Sequence, residues 1–392
     1  MTRDTARSHD DPPYDRDLIR SGSASRRAAQ RSQAGTPRTA SRRGTRTRRG
    51  RSFLRTVRNV LLIALLAVIV GGVLLGMRAA AFNASVSSAA FPSTQLLGPL
   101  NGSDRVNVLM VGYGGPGHDG AYLADSIQIL SIDPETDTTV TVPIPRDLWI
   151  EGIAALPQNG KVNEVFAQGY INGDESLDTA GALMADVLST VTGLEIHHWL
   201  SIDFTGFREM VDAVGGVTID NPVAFSYTTN EEVHRAGNWN TGQFDAGKIH
   251  LDGTQALAYS RARYTSVVSE STDFARSVRQ ARVLAAMRSS IGDGGLGAIG
   301  PGLGLMDAME GRVRTDMSVI DLFLLSSHLT SDRRLELSEG PVLTATTNTD
   351  GQYILIPTGW TGPGDYGGIQ QFLSTELARP APTPSPSAAD AP

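Results

Sequence analysis

The sequence predicts an α/β fold: one three-layer domain with a mixed, partly antiparallel central sheet flanked by helices, following a single N-terminal transmembrane helix. Three features of the chain point there. Residues 60–77 (VLLIALLAVIVGGVLLGM) carry no charge, strand-like stretches cluster between 105 and 147, and amphipathic helical runs alternate with further strands up to about residue 360.

Residues 1–58 hold sixteen Arg against five Asp, about +11, so a net charge of −7 leaves the remainder near −18. Rich in Arg, Ser, Thr and Gly and poor in large apolar residues, this segment reads as a disordered basic cytoplasmic tail. Such a tail suits topology signalling and loose attraction to an anionic membrane leaflet. No aromatic or folded module accompanies it, so nucleic acid is not an expected partner.

Residues 59–78 read as the transmembrane helix. At about 1.5 Å per residue the apolar run just spans a bilayer core, and it lacks the polar stripe of a half-buried helix. The arginine excess before it places the N-terminus in the cytoplasm and everything after it outside the cell membrane. A signal peptide cleaved near MRAAA is the competing reading, opposed by the unusual length of the basic region. The chain has no cysteine, which excludes disulfides, thiolate nucleophiles and cysteine-bound metals.

Residues 79–103 read as a linker, 104–360 as the globular domain and 361–392 as a Pro/Ala-rich tail. RVNVLMVG (105–112) is nearly continuous in apolar residues, as a strand covered on both faces should be. DSIQILSID and TTVTVPIPRD follow as a hairpin turning at DPETD. Helical runs are expected at 176–191, 203–214, 253–260, 274–290 and 318–329, strands near 333–346 and 352–357, and GDGGLGAIGPGLG (292–304) as a flexible loop.

If Ile132 pairs with Thr138 across the turn, Asp125 lies near Pro145, Arg146 and Asp147 at the open end of the hairpin. The Gly-rich loop GYGGPGHDGAYLAD (112–125) precedes it and contains His118 and Asp119. Glycines let backbone N–H groups approach an anion, yet no Lys-Ser/Thr follows to make a P-loop, and the loop also reads as a simple turn.

LDGTQALAYSRAR reads as a helix capped by Asp252 and ending at Arg261 and Arg263, where the helix C-terminus alone favours cations. A second helix begins near Thr272 or Asp273. At 100° per residue it sets Arg276, Gln280, Val283 and Met287 on one stripe whose far half must face the core, with Arg279 at the edge and Arg282 outside in solvent. Inward guanidinium groups need partners. Two readings satisfy them: a bound phosphate or pyrophosphate with a divalent cation, or an internal ion-pair network with Asp125, Asp147 and Asp273.

The blocks VNVLMVG, LADSIQILSIDP, VPIPRDLWI, KVNEVFAQG, IDFTGFREMVDAVGGVTIDNP, LDGTQALAYSRAR and DFARSVRQ, colinear over residues 105–290, resemble the LytR-CpsA-Psr family of membrane-anchored cell-wall glycopolymer ligases. The resemblance implies a phosphotransferase that moves a glycan from a polyprenyl-pyrophosphate carrier to a peptidoglycan acceptor, forming a phosphodiester. It further implies that Arg146, Arg261, Arg263, Arg276, Arg279 and Gln280 bind the pyrophosphate, with Arg146, Arg263 and Asp147 serving catalysis. Asp147 would accept a proton or orient an arginine. Asp125 matches the second of the family's two aspartates for Mg²⁺ (or Mn²⁺), but Gly114 stands where the first is expected, and Asp119 is the substitute at hand. A prenyl groove beneath helices 179–191 and 203–214 is implied too, although their apolar residues also read as ordinary core.

The same site with water as nucleophile would make an exported prenyl-pyrophosphate phosphatase, and loss of metal chemistry would leave a glycopolymer-binding or regulatory membrane protein. His197 and His198 are adjacent, so on a strand they point to opposite faces and do not share a metal. No Gly-x-Ser-x-Gly or His-Glu-x-x-His motif is present.

Overall fold

The computed structural model describes residues 49–90, 105–292, 299–326, 328 and 333–379, and the chain divides into two compact units, 1–65 and 66–392. The described part of the first is helical. It belongs to α1 (Arg49–Val86), within which Asn59–Val86 is 28 residues long with a mean hydropathy of 2.9, enough in length and composition to cross a membrane.

In the second unit, β1 (Val106–Tyr113) lies antiparallel to β2 (Ala124–Asp133), which turns into β3 (Thr138–Pro143). Asp133 closes that turn by accepting from the N–H groups of Glu135 and Thr136 at 3.0 and 3.2 Å. Ile132 pairs with Thr139 rather than Thr138, a register one residue from the expected one, which brings Arg146 level with Asp125. The short pair β4 (Trp149–Ile150) and β5 (Gly160–Lys161) leads into α2 (Val162–Asn172), whose Val162, Val165, Phe166 and Gly169 recur at helical spacing and are buried. Next, α3 (Leu177–Thr192) is capped by Ser176 and stopped by Gly193 at φ 71°.

β6 (His198–Asp203) runs parallel to β1, and Asp203 caps α4 (Phe204–Ala213). A subdomain follows: β7 (Val217–Asn221), β8 (Phe225–Thr228), α5 (Glu231–Arg235), β9 (Gly242–Phe244), β10 (Gly247–Leu251), α6 (Gly253–Arg261), β11 (Tyr264–Thr265) and α7 (Asp273–Gly292). Its core joins Val211, Ile219, Phe244, Tyr259, Val283 and Met287. The chain ends with α8 (Ile299–Met309), β12 (Val313–Thr315), α9 (Val319–Ser326), β13 (Arg333–Arg334), β14 (Leu343–Thr347), β15 (Tyr353–Pro357) and α10 (Gly367–Leu377).

The main sheet has the order β12-β6-β1-β2-β3-β13 and mixes parallel with antiparallel pairs. Alternation along β1 and β2 makes the three layers. Leu109, Val111, Ile127 and Ile129 pack on α2, α3 and α10, whereas Val106, Val108, Leu130 and Ile132 pack on Met317 and Leu325. Both faces are covered, which is why β1 reads as a nearly continuous apolar run.

The sequence reading has no counterpart for the strands β4 to β12, and it differs from the structure in the following places as well. Residues 79–86, expected in the linker, continue α1 and bury Phe82 and Val86 against Val313, while Asn83 Oδ1 accepts from Val319 N at 2.9 Å. Residues 367–377, expected in the tail, form α10 and place Ile369 and Leu373 in the main core. Helix α2 was not anticipated. Ile299–Met309 is helical rather than loop, while 293–298 of the expected loop lie outside the described residues.

Candidate active site

The site begins at the open end of the β2–β3 hairpin. Asp125, at the start of β2, faces Arg146, just past β3, with Oδ1 3.5 Å from a terminal guanidinium nitrogen. Asp147 is nearly buried between Lys161 Nζ at 2.7 Å and Arg146 Nε at 3.5 Å. Lys161 arrives on β5, which the β4 pairing sets opposite Trp149. Arg146 is therefore held between two carboxylates, and Asp147 in turn between two cations.

Helix α6 approaches from the subdomain. Asp252 and Gln255 form a complete capping box at its start, and Arg261 forms its last turn. The Arg261 guanidinium lies 4.1 Å from the centre of the Phe204 ring and 3.3 Å from Asp125 Oδ2. From α7, the expected stripe is present: Val283 and Met287 enter the subdomain core while Arg276 and Gln280 face the hairpin. Gln280 Oε1 accepts from Ser126 Oγ at 2.9 Å and Gln128 Nε2 at 3.2 Å, so what Gln280 has to offer an anion is its NH₂ group.

These elements enclose a cavity of about 650 Å³. Of the nine residues singled out from sequence, Asp119, Asp125, Arg146, Arg261, Arg263, Arg276 and Gln280 line it. Asp147 instead lines an adjoining cavity of about 550 Å³.

Arg279 lines neither, which corrects its placement as a pyrophosphate ligand. It is fully buried: Nε donates to Tyr259 O at 2.9 Å, one terminal nitrogen to Glu270 O at 2.9 Å and Glu270 Oε2 at 2.7 Å, and the other to Ala262 O. Burial pushes its pKa down, and the Glu270 carboxylate works against that shift. Arg279 thus ties the carbonyls at the end of α6, on either side of Arg261, to the start of α7. Arg282 is not simply solvated either, since it donates to Tyr259 Oη at 3.2 Å.

The Gly-rich loop folds back on itself, with Gly115 N donating to Ala121 O at 2.7 Å. Gly115 has φ +82°, and a Cβ there would stand 2.8 Å from Asp203 Cβ, so glycine is required on both counts. At the preceding buried position a Cβ on Gly114 would meet His118 Cβ at 3.0 Å and Ala121 O at 3.4 Å. His118, edge-on to Phe204 with ring centres 5.4 Å apart, fills the room that an acidic side chain at 114 would use.

Among the described residues no group of three or more His, Cys, Asp or Glu is placed to hold a metal. Two carboxylates, Asp119 and Asp125, do reach the cavity. Mg²⁺ is commonly held by one or two carboxylates plus phosphate oxygens, so this donor set fits it together with a phosphate.

Sequence reasoning missed Phe204, Arg208 and Asn163 on the cavity wall. Asn163 is 8% exposed, and among the described residues its Oδ1 has no hydrogen-bond partner, nor does Nε of Arg208. Orphaned buried polar atoms around one cavity are a signal that exists only once the chain is folded.

Fold and cavity together define a class: an α/β domain with an arginine-walled cavity, preceded in sequence by an apolar helix. A family model narrows it, matching residues 77–359, and the chain belongs to the LytR_cpsA_psr family. It is 31% identical over 234 residues to the polyisoprenyl-teichoic acid–peptidoglycan teichoic acid transferase TagU of Oceanobacillus iheyensis, covering 59% of this chain and 64% of that one. Against the protein of the same name from Bacillus mycoides the figures are 28%, 57% and 64%. The chain thus spans just under two thirds of the length of these curated relatives. The crystal structure of a Streptococcus agalactiae protein shares the fold, with a TM-score of 0.53 at 21% identity over 74% of this chain and 93% of that one.

Proposed function

We propose that the protein is a membrane-anchored phosphotransferase that moves a glycopolymer from a polyprenyl-pyrophosphate carrier to peptidoglycan. Convergence of Arg146, Arg261, Arg263, Arg276 and Gln280 on one cavity carries the reading. Four guanidinium groups and an amide NH₂ match the oxygens of a pyrophosphate, where each charge-assisted contact contributes about 1.5–3 kcal/mol. The names of the relatives from Oceanobacillus iheyensis and Bacillus mycoides support the carrier and the acceptor. Helix α1 supplies the anchor, with the basic N-terminal segment on the cytoplasmic side and the catalytic domain outside.

Phosphoryl transfer depends on position and charge neutralisation. Arg146 and Arg261, both oriented by Asp125, would bind the phosphates together with Arg263 and Arg276. An acceptor hydroxyl attacks the phosphorus next to the glycan, the bond from that phosphorus to the bridging oxygen breaks, and polyprenyl phosphate leaves with the electron pair. The proton leaves the acceptor oxygen for solvent or a neighbouring carboxylate. Asp147, locked by Lys161, acts as a positioning residue for Arg146 rather than as the proton acceptor. Asp125 and Asp119 would hold Mg²⁺ or Mn²⁺, which when bound supplies further neutralisation of phosphate charge.

The test is incubation of the full chain in detergent with a lipid-linked glycan, with and without peptidoglycan acceptor. Acceptor-dependent glycan transfer supports the ligase. Phosphate release indifferent to acceptor identifies a phosphatase, and carrier binding without turnover at any Mg²⁺ concentration identifies a binding protein.

A further inference from the structure

The arginine cavity has a neighbour, and the two share a wall. The second cavity, about 550 Å³, meets the first across Asp125, Arg146, Arg276 and Gln280. Apart from these shared residues the charges are sorted. The first cavity adds Arg208, Arg261 and Arg263 against Asp119 alone, whereas the second adds Asp147, Glu336 and Glu339 and no Lys or Arg.

Local structure explains the second wall. After β13 the stretch Leu335-Glu336-Leu337-Ser338 alternates, burying both leucines in the main core and turning Glu336 and Ser338 to the cavity. Glu336 is ion-paired with Arg334, and Glu339 accepts from Tyr353 Oη at 2.8 Å. Two aromatic side chains also line this cavity, Phe274 at 56% and Tyr353 at 47% exposed, which is far more than packing requires.

We infer that this second cavity is the acceptor subsite, and that it takes an N-acetylhexosamine glycan with one hydroxyl presented toward Arg146 and Arg276. Exposed aromatic faces pack on the apolar C–H faces of pyranose rings, and carboxylates accept hydrogen bonds from sugar hydroxyls. Asp147 is ion-paired with Lys161 and Glu336 with Arg334, so Glu339, held by the Tyr353 hydroxyl, is the acid on this wall that disfavours a polyanionic glycopolymer or a prenyl phosphate, which assigns the phosphorylated donor to the arginine side and the acceptor glycan to the other. A group transferred between two glycans needs the two sites to meet at the phosphorus, and these cavities meet at the guanidinium groups that would hold it. This inference rests on the phosphotransferase reading above.

The experiment uses the full chain in detergent with a lipid-linked glycopolymer donor and a peptide-free tetrasaccharide of alternating N-acetylhexosamines as acceptor. Phe274→Ala and Tyr353→Ala should each raise the acceptor KM about tenfold, the scale of one lost aromatic contact. Donor Kd and thermal midpoint should stay unchanged in both. Glu339→Gln should raise the acceptor KM and, by removing a repulsive charge, allow a phosphorylated oligosaccharide to inhibit competitively against acceptor. An unchanged acceptor KM in all three variants, with wild-type transfer intact, overturns the subsite. So does equal competition by a sugar-free cationic peptide, which would make the occupant a peptide. If wild type neither binds donor nor transfers, the phosphotransferase reading itself fails, a result distinct from either.

Discussion

Replacing Arg279 by Ala removes a fully buried guanidinium that serves three carbonyls and a carboxylate. Glu270 would be left as a buried charge without its cation, and Tyr259 and Ala262 would lose hydrogen bonds that fix the end of α6. Breaking a buried pair from one side costs about 3–5 kcal/mol, against about 0.5 kcal/mol for an ordinary surface change. Arg279→Lys keeps the charge but cannot fork to carbonyls in three directions, so it should recover only part of the loss. In Arg279→Ala/Glu270→Ala no charge is stranded, so the double variant should be more stable than the sum of the single losses. Urea unfolding of the detergent-solubilised wild type, Arg279→Ala, Arg279→Lys, Glu270→Ala and the double variant measures these differences, and donor binding is then measured in the folded Arg279→Lys. A destabilisation of Arg279→Ala below about 1 kcal/mol, accompanied by weaker donor binding, would refute the clamp and return Arg279 to the ligand set.

Gly114→Asp should destabilise by about 1–3 kcal/mol, because its Cβ must displace His118, and His118→Gly in the same chain should restore the thermal midpoint. Arg261→Ala and Arg263→Ala should each weaken binding of a prenyl pyrophosphate about 10- to 150-fold in a titration, following loss of one charge-assisted contact. Because the Arg261 side chain is 45% exposed, the thermal midpoint of Arg261→Ala should hardly move. Asp119→Asn and Asp125→Asn should both raise the Mg²⁺ concentration needed for half-maximal transfer, since these are the two acids on the arginine cavity that are offered to a cation. An unchanged Mg²⁺ midpoint for Asp119→Asn removes that residue from the metal site.

What the sequence by itself determined was everything that repeats along the chain. The apolar run of 106–113, the hairpin strand of 124–133 with its turn at DPETD and the Asp252 cap follow from local geometry. The stripe of Arg276, Gln280, Val283 and Met287 does as well. A hairpin register wrong by one residue still placed Asp125 by Arg146, because the strands leave little freedom there. Five of the seven family blocks lie on or beside these same elements, whereas KVNEVFAQG falls on α2 and IDFTGFREMVDAVGGVTIDNP runs across β6, α4 and β7.

Only the tertiary structure decided which partner each inward side chain meets. A helical wheel put Arg279 at the edge of its stripe, yet the end of α6 closes over it and makes it a clamp. Phe204 comes to Arg261 from across 57 positions of chain, and Lys161 reaches Asp147 through a two-residue strand pair too short to show a period. Helix α10, called tail from the proline-rich composition of the residues after it, joins the core because Ile369 and Leu373 find an apolar face there. The second cavity draws one wall from 336–339, another from Tyr353 and a third from α7. Periodicity says which face of an element is buried, but the element that buries it is chosen by packing between segments far apart in sequence.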